Sequence, residues 1–240
     1  MFVLSAPIVS TKATCLQVNL KQDSQLWHNR LGHLSYDGLK MPVSKQMVKG
    51  LPSITTPKDL CTHYLAGKQH HNAMTKRSLW RALKNLQLIH ADLCGPIRPV
   101  SSSNKRYILS FIDDLSRKTW VYFLSEKSEA FHYFKIFKAL VEKETEESIL
   151  CLRTNRGEEF TSQEFADFCQ NHGIKRQLTV AYTPQQNGVA ERKNRTIMNM
   201  VQAMIIGRNV PKIYWLEATK WCVHILNRSP TLVVQDKTPE

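Results

Sequence analysis

The order of strand-like and helix-like segments after residue 85 constrains the fold of this 240-residue chain most strongly. Three strand patterns come first, because apolar and aromatic residues there alternate with polar ones or form short β-branched runs. A helical pattern follows, then a strand, a helix, a strand and two helices. The predicted segments lie, in chain order, at 86–94, 105–114, 117–125, 126–147, 149–154, 161–171, 174–181, 185–207 and 211–227.

This β-β-β-α-β-α-β-α-α order predicts an α/β fold of the ribonuclease H-like kind, in which helices flank a mixed five-stranded sheet. Upstream of it, short helical patterns broken by Gly32, Gly38 and Pro42 predict a small helical module. The first 25 residues show no clear period. We therefore predict three units: an unassigned upstream remnant at 1–25, the module at 26–84 and the α/β core at 85–240.

The charge of the chain favours a polyanionic partner. The sequence has 33 Lys and Arg against 20 Asp and Glu, which gives a net charge of +13. The cations are clustered, since no acidic residue occurs from Leu60 to Ala91, and Glu191 is the only acid between Asp167 and Glu217. Such one-sign stretches suit a phosphate backbone and favour nucleic acid. A basic surface retained for solubility is the alternative.

The cysteines and the N-terminus indicate an intracellular protein. Six cysteines are scattered singly, without the close spacing typical of a disulfide framework. The opening MFVLSAPIVS lacks a basic region, so no signal peptide is predicted. No apolar run approaches the length of a membrane span, and no membrane partner is predicted. We expect a reducing compartment, either the nucleus or the cytoplasm.

Three distant positions could form one site. Asp92 lies in an otherwise apolar strand, Asn155 follows the fourth strand, and Glu191 lies in the next long helix, with 35 residues between Asn155 and Glu191. Carboxylates on these elements could converge on two Mg²⁺ ions about 3.5–4 Å apart and promote phosphoryl transfer. Asn155 is an amide, however, so the sequence leaves open whether a ligand has been exchanged or no metal site exists.

Each carboxylate also has a simpler interpretation. Asp92 could be a solvated residue that caps the turn at Gly95. Glu191 could be a salt-bridge partner of Arg192 or Arg195. Two further acids, Asp113 and Asp114, lie at the end of the second strand, in the hairpin turn, and are interpreted as solvated turn residues.

Several long motifs carry a family resemblance. They are LWHNRLGHLSYDGLK, HADLCGP, FIDDLSRKTWVYFL, KSEAF, RGEEF, FCQNHGI, YTPQQNGVAERKNRTI and LNRSP. Together they resemble the integrase region of a copia-type long-terminal-repeat retrotransposon, from about Leu26 to the C-terminus. The resemblance implies a zinc-binding pre-integrase module followed by a catalytic core of the D, D-x35-E type, which trims and joins element DNA ends into target DNA.

On this resemblance, the catalytic positions are Asp92, Asn155 and Glu191. Asp92 matches the first aspartate and Glu191 the glutamate, so both are candidate Mg²⁺ ligands, whereas Asn155 stands where the family has its second aspartate. A neutral amide attracts a hard divalent cation less than a carboxylate does, so we expect impaired catalysis. The alternatives are a non-catalytic nucleic-acid-binding protein on this scaffold, or an enzyme in which Glu158 or Glu159 replaces the missing ligand.

The resemblance also implies a His-His-Cys-Cys zinc site that is incomplete here. His28, His33 and Cys61 match the first three ligands, but Tyr64 occupies the position of the second cysteine. Zinc in structural sites takes four ligands. Two nearby histidines could supply the fourth: His63 and His70.

Residues around the Glu191 helix are candidate DNA contacts, because the family's core meets DNA there. They are Tyr182, Gln185, Gln186, Asn187, Lys193 and Arg195. The alternative for the two cations is a solvated helix face. The partners implied are DNA, a second copy of the chain and other products of the same polyprotein. The resemblance also predicts that the chain ends after the core and lacks a downstream DNA-binding portion.

Overall fold

A five-stranded mixed sheet forms the centre of the protein in the computed structural model, which describes residues 20–44, 50–57, 61, 81–179, 187–231, 234 and 237–240. Its strands are β1 (Ile89–Cys94), β2 (Tyr107–Asp113), β3 (Thr119–Leu124), β4 (Cys151–Thr154) and β5 (Lys175–Leu178). They lie in the order β3-β2-β1-β4-β5. β1, β2 and β3 are antiparallel neighbours, whereas β4 runs parallel to β1 and to β5. The predicted ribonuclease H-like architecture is confirmed.

Helices cover both faces of the sheet. Those described are α1 (Leu20–Arg30), α2 (Tyr36–Ser44), α3 (Ala130–Thr145), α4 (Glu158–Thr161), α5 (Gln163–Asn171), α6 (Gly188–Gly207) and α7 (Trp215–Arg228). Short 3-10 turns precede α3 and α7. In the described residues no helix has the length and apolarity that crossing a membrane requires.

Two helices differ in detail from the prediction. α1 begins at Leu20, within the segment that the sequence left unassigned. The helix predicted at 161–171, with Thr161 or Ser162 as its cap, is α5, which Ser162 caps; the separate one-turn helix α4 before it was not predicted. The Ser162 hydroxyl accepts a hydrogen bond from Phe165 N at 3.3 Å and so caps α5.

Aromatic packing fills the face of the sheet that is covered by α3 and α5. Phe111 of β2 stacks on Phe137 of α3 with 4.2 Å between ring centroids, and Phe134 stacks on Phe165 at 5.0 Å. All four rings are fully buried. Stacked and tilted aromatic pairs stabilise a core beyond their buried area. This layer is the main core and leaves the opposite face for α6 and α7.

Alternation along β1 places polar side chains on that opposite face. Ile89 and Ala91 pack into the aromatic layer, so His90 and Asp92 project towards α6. Pairing between β1 and β4 ends at His90 and Arg153, before Asp92 is reached. The two strands therefore separate at the position where Asp92 and the residue after β4 face each other.

The two acids at the end of β2 are buried, which contradicts the expectation of solvated turn residues. Asp113 and Asp114 are 1% and 5% exposed. Asp113 accepts hydrogen bonds from Leu86 N at 2.9 Å and Ser116 N at 2.7 Å. Asp114 accepts from Ala82 N at 2.8 Å and from His90 Nε2 at 2.9 Å. The chain entering β1 covers this turn, so its backbone N–H groups take the place of water.

The turn between α1 and α2 packs onto the core. Gly32 has φ +62°, and a Cβ added there would lie 3.1 Å from Met204 Sδ and 3.3 Å from Ile225 Cδ1. The turn therefore needs a residue that tolerates both the left-handed backbone and the close approach of α6 and α7.

Candidate active site

Two amide side chains hold the Asp92 carboxylate. Asn155 Nδ2 donates to Asp92 Oδ1 at 3.2 Å, and Asn194 Nδ2 donates to Oδ2 at 2.9 Å. Burial raises the pKa of Asp92, and the hydrogen bond from Asn194 opposes that rise. The alternative interpretation of Asp92 as a solvated turn cap is therefore not supported.

Hydrogen bonds at both ends determine the orientation of the Asn155 amide. Its oxygen accepts a hydrogen bond from Gly157 N at 3.0 Å, while its NH₂ group faces Asp92. The carboxylate of Asp92 only accepts and the backbone N–H only donates, so the reverse orientation loses both bonds. Asn155 thus presents donors, rather than a ligand oxygen, to the site.

Glu191 lies in the first turn of α6, half-buried. Burial raises the pKa of its carboxyl, and the charge of Asp92 raises it further, whereas Arg195 and Arg192 lower it. No ion pair or hydrogen bond of the Glu191 carboxylate occurs among the described residues, so the salt-bridge interpretation is not supported. The effect of the Asp92 charge on Glu191 indicates that the two predicted positions approach each other.

Asn194 was not anticipated from the sequence. It lies on the stripe of α6 that faces the sheet, together with Ala190, Ile197 and Val201. A polar residue on an otherwise apolar helical stripe was the available signal, because such a residue needs a partner when buried.

The structure does not place Asn187 at a DNA surface. Its side chain is 1% exposed, and Nδ2 donates to Ala91 O at 3.1 Å. Because β4 no longer pairs with β1 beyond His90, the Ala91 carbonyl accepts this side-chain donor. Asn187 therefore attaches the start of α6 to β1, and its predicted DNA contact is not supported. Tyr182, Gln185 and Gln186 lie outside the described residues.

Two basic side chains follow Glu191 on α6. Lys193 is half-buried, and burial together with the nearby charge of Arg117 lowers its pKa to about 8. Neither an ion pair nor a hydrogen bond of the Lys193 ammonium is found in the part of the chain that the structure describes. Arg195 is half-buried and lowers the pKa of Glu191. Their contacts with DNA stay predictions.

Three of the predicted zinc ligands come together. His28 Nε2 lies 3.1 Å from His33 Nδ1, which lies 3.4 Å from Cys61 Sγ. The donor atoms of all three residues lie within 4.8 Å of one another. His28 Nδ1 bonds the carbonyl of Leu34 at 2.8 Å, which orients Nε2 towards the other two ligands. Tyr64, His63 and His70 lie outside the described residues.

The donor set around Asp92 is suited to a hard cation. Oxygen atoms of Asp92 and Glu191, joined by the nearby Glu159, are the type of ligand that Mg²⁺ prefers. Burial is the main cause of the raised pKa of Asp92 and of Glu191, so a positive charge would stabilise the ionised form of both. Buried near them, Asn187 Oδ1 has no hydrogen-bond donor within the described structure. A divalent cation would compensate for these features.

Comparison with known proteins identifies the family. Residues 1–69 match the GAG-pre-integrase domain, and residues 82–184 match the integrase core domain. The chain is 40% identical over 227 residues to the "Retrovirus-related Pol polyprotein from transposon TNT 1-94" of Nicotiana tabacum. It is 33% identical over 238 residues to the corresponding polyprotein from transposon RE2 of Arabidopsis thaliana. The chain belongs to the integrase region of copia-type retrotransposon polyproteins.

The match covers most of this integrase region but little of each relative. It spans 93% and 97% of the chain, and 17% and 16% of the two polyproteins. The prediction of a copia-type integrase region is confirmed.

Solved integrases share the fold of this integrase core. The simian T-cell lymphotropic virus intasome in complex with PP2A regulatory subunit B56 gamma matches with a TM-score of 0.56 and 18% identity, over 72% of this chain and 59% of that chain. The HTLV-2 integrase catalytic core in complex with magnesium, in a dimeric form, matches with a TM-score of 0.50 and 21% identity, over 66% and 97%. At these identities the likeness shows the fold.

Proposed function

We propose that this chain is a DNA-binding integrase fragment that transfers phosphoryl groups by the two-metal route and is impaired by Asn155. The observation that carries the proposal is the contact between Asp92 and Asn155 beside Glu191. Two carboxylates and one amide occupy the three positions of the family's catalytic motif.

Each residue of the site would have a separate role in the reaction. Asp92 and Glu191 would hold Mg²⁺, which supplies an activated water and stabilises charge on the leaving oxygen. Asn194 would keep Asp92 in one rotamer through its 2.9 Å hydrogen bond. Lys193 and Arg195 would bind phosphates of the DNA backbone and position the scissile bond.

Impairment follows from charge and orientation. An amide at position 155 removes one negative charge from the ligand set, and its NH₂ group faces Asp92. A cation there would have to displace this hydrogen bond and would gain only a neutral oxygen. Cation affinity and activation of the nucleophile should both fall.

The test is reversion of the exchanged ligand. We expect Asn155→Asp to raise Mg²⁺-dependent end processing by at least about 100-fold, since one anionic ligand supplies a few kcal/mol and each 1.36 kcal/mol is tenfold. Asn171→Asp, which adds the same charge at an exposed position, is the control and should leave activity unchanged. Robust Mg²⁺-dependent strand transfer with Asn155 intact would contradict the proposed impairment.

The runner-up is a non-catalytic nucleic-acid-binding protein on the same scaffold. The net charge of +13 and the neutral amide beside Asp92 favour it. Salt-dependent binding of DNA, with no nicking by the parent chain or by Asn155→Asp, is the result that this alternative predicts.

Zinc binding, self-association and location are further proposals. His28, His33 and Cys61 fit three positions of a tetrahedral zinc site. Metal analysis should find about one Zn²⁺ per chain in the parent and little in Cys61→Ser. Association with a second copy and with other products of the polyprotein is proposed from the family, as is an intracellular location in the nucleus or cytoplasm.

A further inference from the structure

The carboxylate of Glu159 lies on the same short loop as Asn155. A Cβ added to Gly157 would overlap the carboxylate atoms of Glu159, so that side chain folds back over the glycine. The N–H of Gly157 in turn donates to Asn155 Oδ1 at 3.0 Å, and Asn155 Nδ2 donates to Asp92 Oδ1 at 3.2 Å. A continuous set of contacts therefore connects the Glu159 carboxylate, through the loop, with Asp92.

Glu159 lies four residues after Asn155, in the first turn of the short helix α4. No ion pair or hydrogen bond of the Glu159 carboxylate is present within the described residues, and the intervening Arg156 donates instead to Thr179 O at 2.9 Å. Glu159 is half-buried, whereas its neighbour Glu158 is exposed. Glu159 therefore offers a carboxylate that has no partner in the described structure, on the same loop as Asn155.

We propose that Glu159 supplies the third anionic metal ligand of this site in place of Asn155. The inference rests on the proposed function, because it concerns the same cation site. In the described structure the oxygens of Asp92, Glu159 and Glu191 do not gather within 4.8 Å of one another. Binding therefore requires rotation of the Glu159 side chain from Gly157 towards the cation, and its three χ angles permit that rotation.

Direct cation binding by the full chain tests the assignment without reliance on catalysis. The probe is Mn²⁺, measured by electron paramagnetic resonance, with Mg²⁺ as competitor. We expect Glu159→Gln to weaken Mn²⁺ binding at least about tenfold, because a charged ligand is lost at nearly constant size. Glu158→Gln removes the adjacent exposed charge and should change binding less than about twofold.

Repeating the Glu159→Gln substitution in the Asn155→Asp variant distinguishes a metal ligand from a nearby charge. In Asn155→Asp the third carboxylate is restored at its usual position, so Glu159→Gln should now weaken binding less than about twofold. An equal loss in both backgrounds would mean that Glu159 acts only as a general charge, and the proposal would be wrong. Unchanged Mn²⁺ binding by Glu159→Gln in the parent would also overturn it.

The outcomes also distinguish this inference from the proposed function. If the parent binds no Mn²⁺ but Asn155→Asp does, the cation site stands and the role of Glu159 is refuted. If neither chain binds Mn²⁺, both proposals fail. Equal unfolding midpoints of all variants in EDTA are the control for folding.

Discussion

At the scale of single residues, the site depends on amides that hold carboxylates. Asp92 receives one hydrogen bond from Asn155 and one from Asn194, so both of its oxygens are satisfied without a cation. Hydrogen bonds to a charged group contribute about 1.5–3 kcal/mol each. The two amides therefore hold a half-buried carboxylate in one orientation, and the hydrogen bond from Asn194 opposes the rise of its pKa.

Lys193 should make DNA binding depend on pH near 8. Its pKa lies at about 8 because burial and Arg117 disfavour the charged form, so the positive charge is present below that pH and is lost above it. We expect DNA affinity to fall as the pH rises through and beyond about 8. Fluorescence anisotropy with a labelled duplex at constant ionic strength measures this dependence.

Lys193→Gln should remove that part of the pH dependence and reduce the slope of log affinity against log salt by about one. Lys143→Gln is the matched control, because Lys143 is exposed on α3, which covers the opposite face of the sheet. A pH profile of Lys193→Gln identical to that of the parent would exclude a contact between Lys193 and phosphate.

At the scale of elements, α6 is positioned by polar contacts at its start and apolar contacts further along. Asn187 bonds the Ala91 carbonyl and Asn194 bonds Asp92, whereas Ile197 and Val201 pack beneath the helix. The polar contacts at the start of α6 thus determine where Glu191 lies relative to β1. The apolar contacts further along the helix contribute most of the packing free energy.

Asn187→Ala should destabilise the protein through this attachment. The change leaves the Ala91 carbonyl without its donor, and an unsatisfied buried acceptor costs about 1–3 kcal/mol. Urea unfolding followed by circular dichroism measures the difference. Gln202→Ala, at an exposed position of the same helix, should change the unfolding free energy by less than about 0.5 kcal/mol. Equal midpoints for the two variants would show that the contact with Ala91 is dispensable.

The elements were more predictable than the contacts between them. Strand alternation and the α3 stripe indicated the sheet and its main helix, because those patterns depend only on local periodicity. Resemblance indicated that positions 92, 155 and 191 share a site. The amides of Asn187 and Asn194 were not anticipated, because their partners depend on how α6 lies across β1. The burial of Asp114 likewise depends on a segment that is distant in sequence.

At the scale of the whole molecule, a buried charged cluster joins the chain entering β1 to the turn after β2. Asp114 bonds His90, lies 3.2 Å from Arg117 Nη1 and accepts from Ala82 N. Burial would raise the pKa of Asp114, but these hydrogen bonds and charges outweigh it and hold the pKa at about 2. The cluster is therefore stable only while Asp114 is ionised.

The protein should accordingly lose stability in acid. Since the folded pKa of Asp114 lies below its unfolded value, its contribution is present above about pH 4 and is lost as the pH falls towards 2. Burial lowers the pKa of His90, so uptake of a proton by the unfolded chain below about pH 6.5 acts in the same direction. Unfolding free energies between pH 7 and pH 2 measure both effects.

Asp114→Asn should lower the unfolding free energy at pH 7 by roughly 1–3 kcal/mol, and the difference from the parent should shrink below about pH 4. Asp37→Asn is the control, because the Asp37 side chain is 93% exposed. A difference that stays constant from pH 7 to pH 2 would show that the charge of Asp114 does not contribute.

The early end of pairing between β1 and β4 has a consequence for how this protein tolerates change. Position 155 lies beyond the last paired residues, His90 and Arg153, so its side chain is not part of any strand ladder. Exchange of a carboxylate for an amide there alters the chemistry and leaves the scaffold intact. Such a chain can lose its catalytic activity while it keeps its fold. Soluble, cooperatively folding protein therefore does not show that the site can cleave DNA.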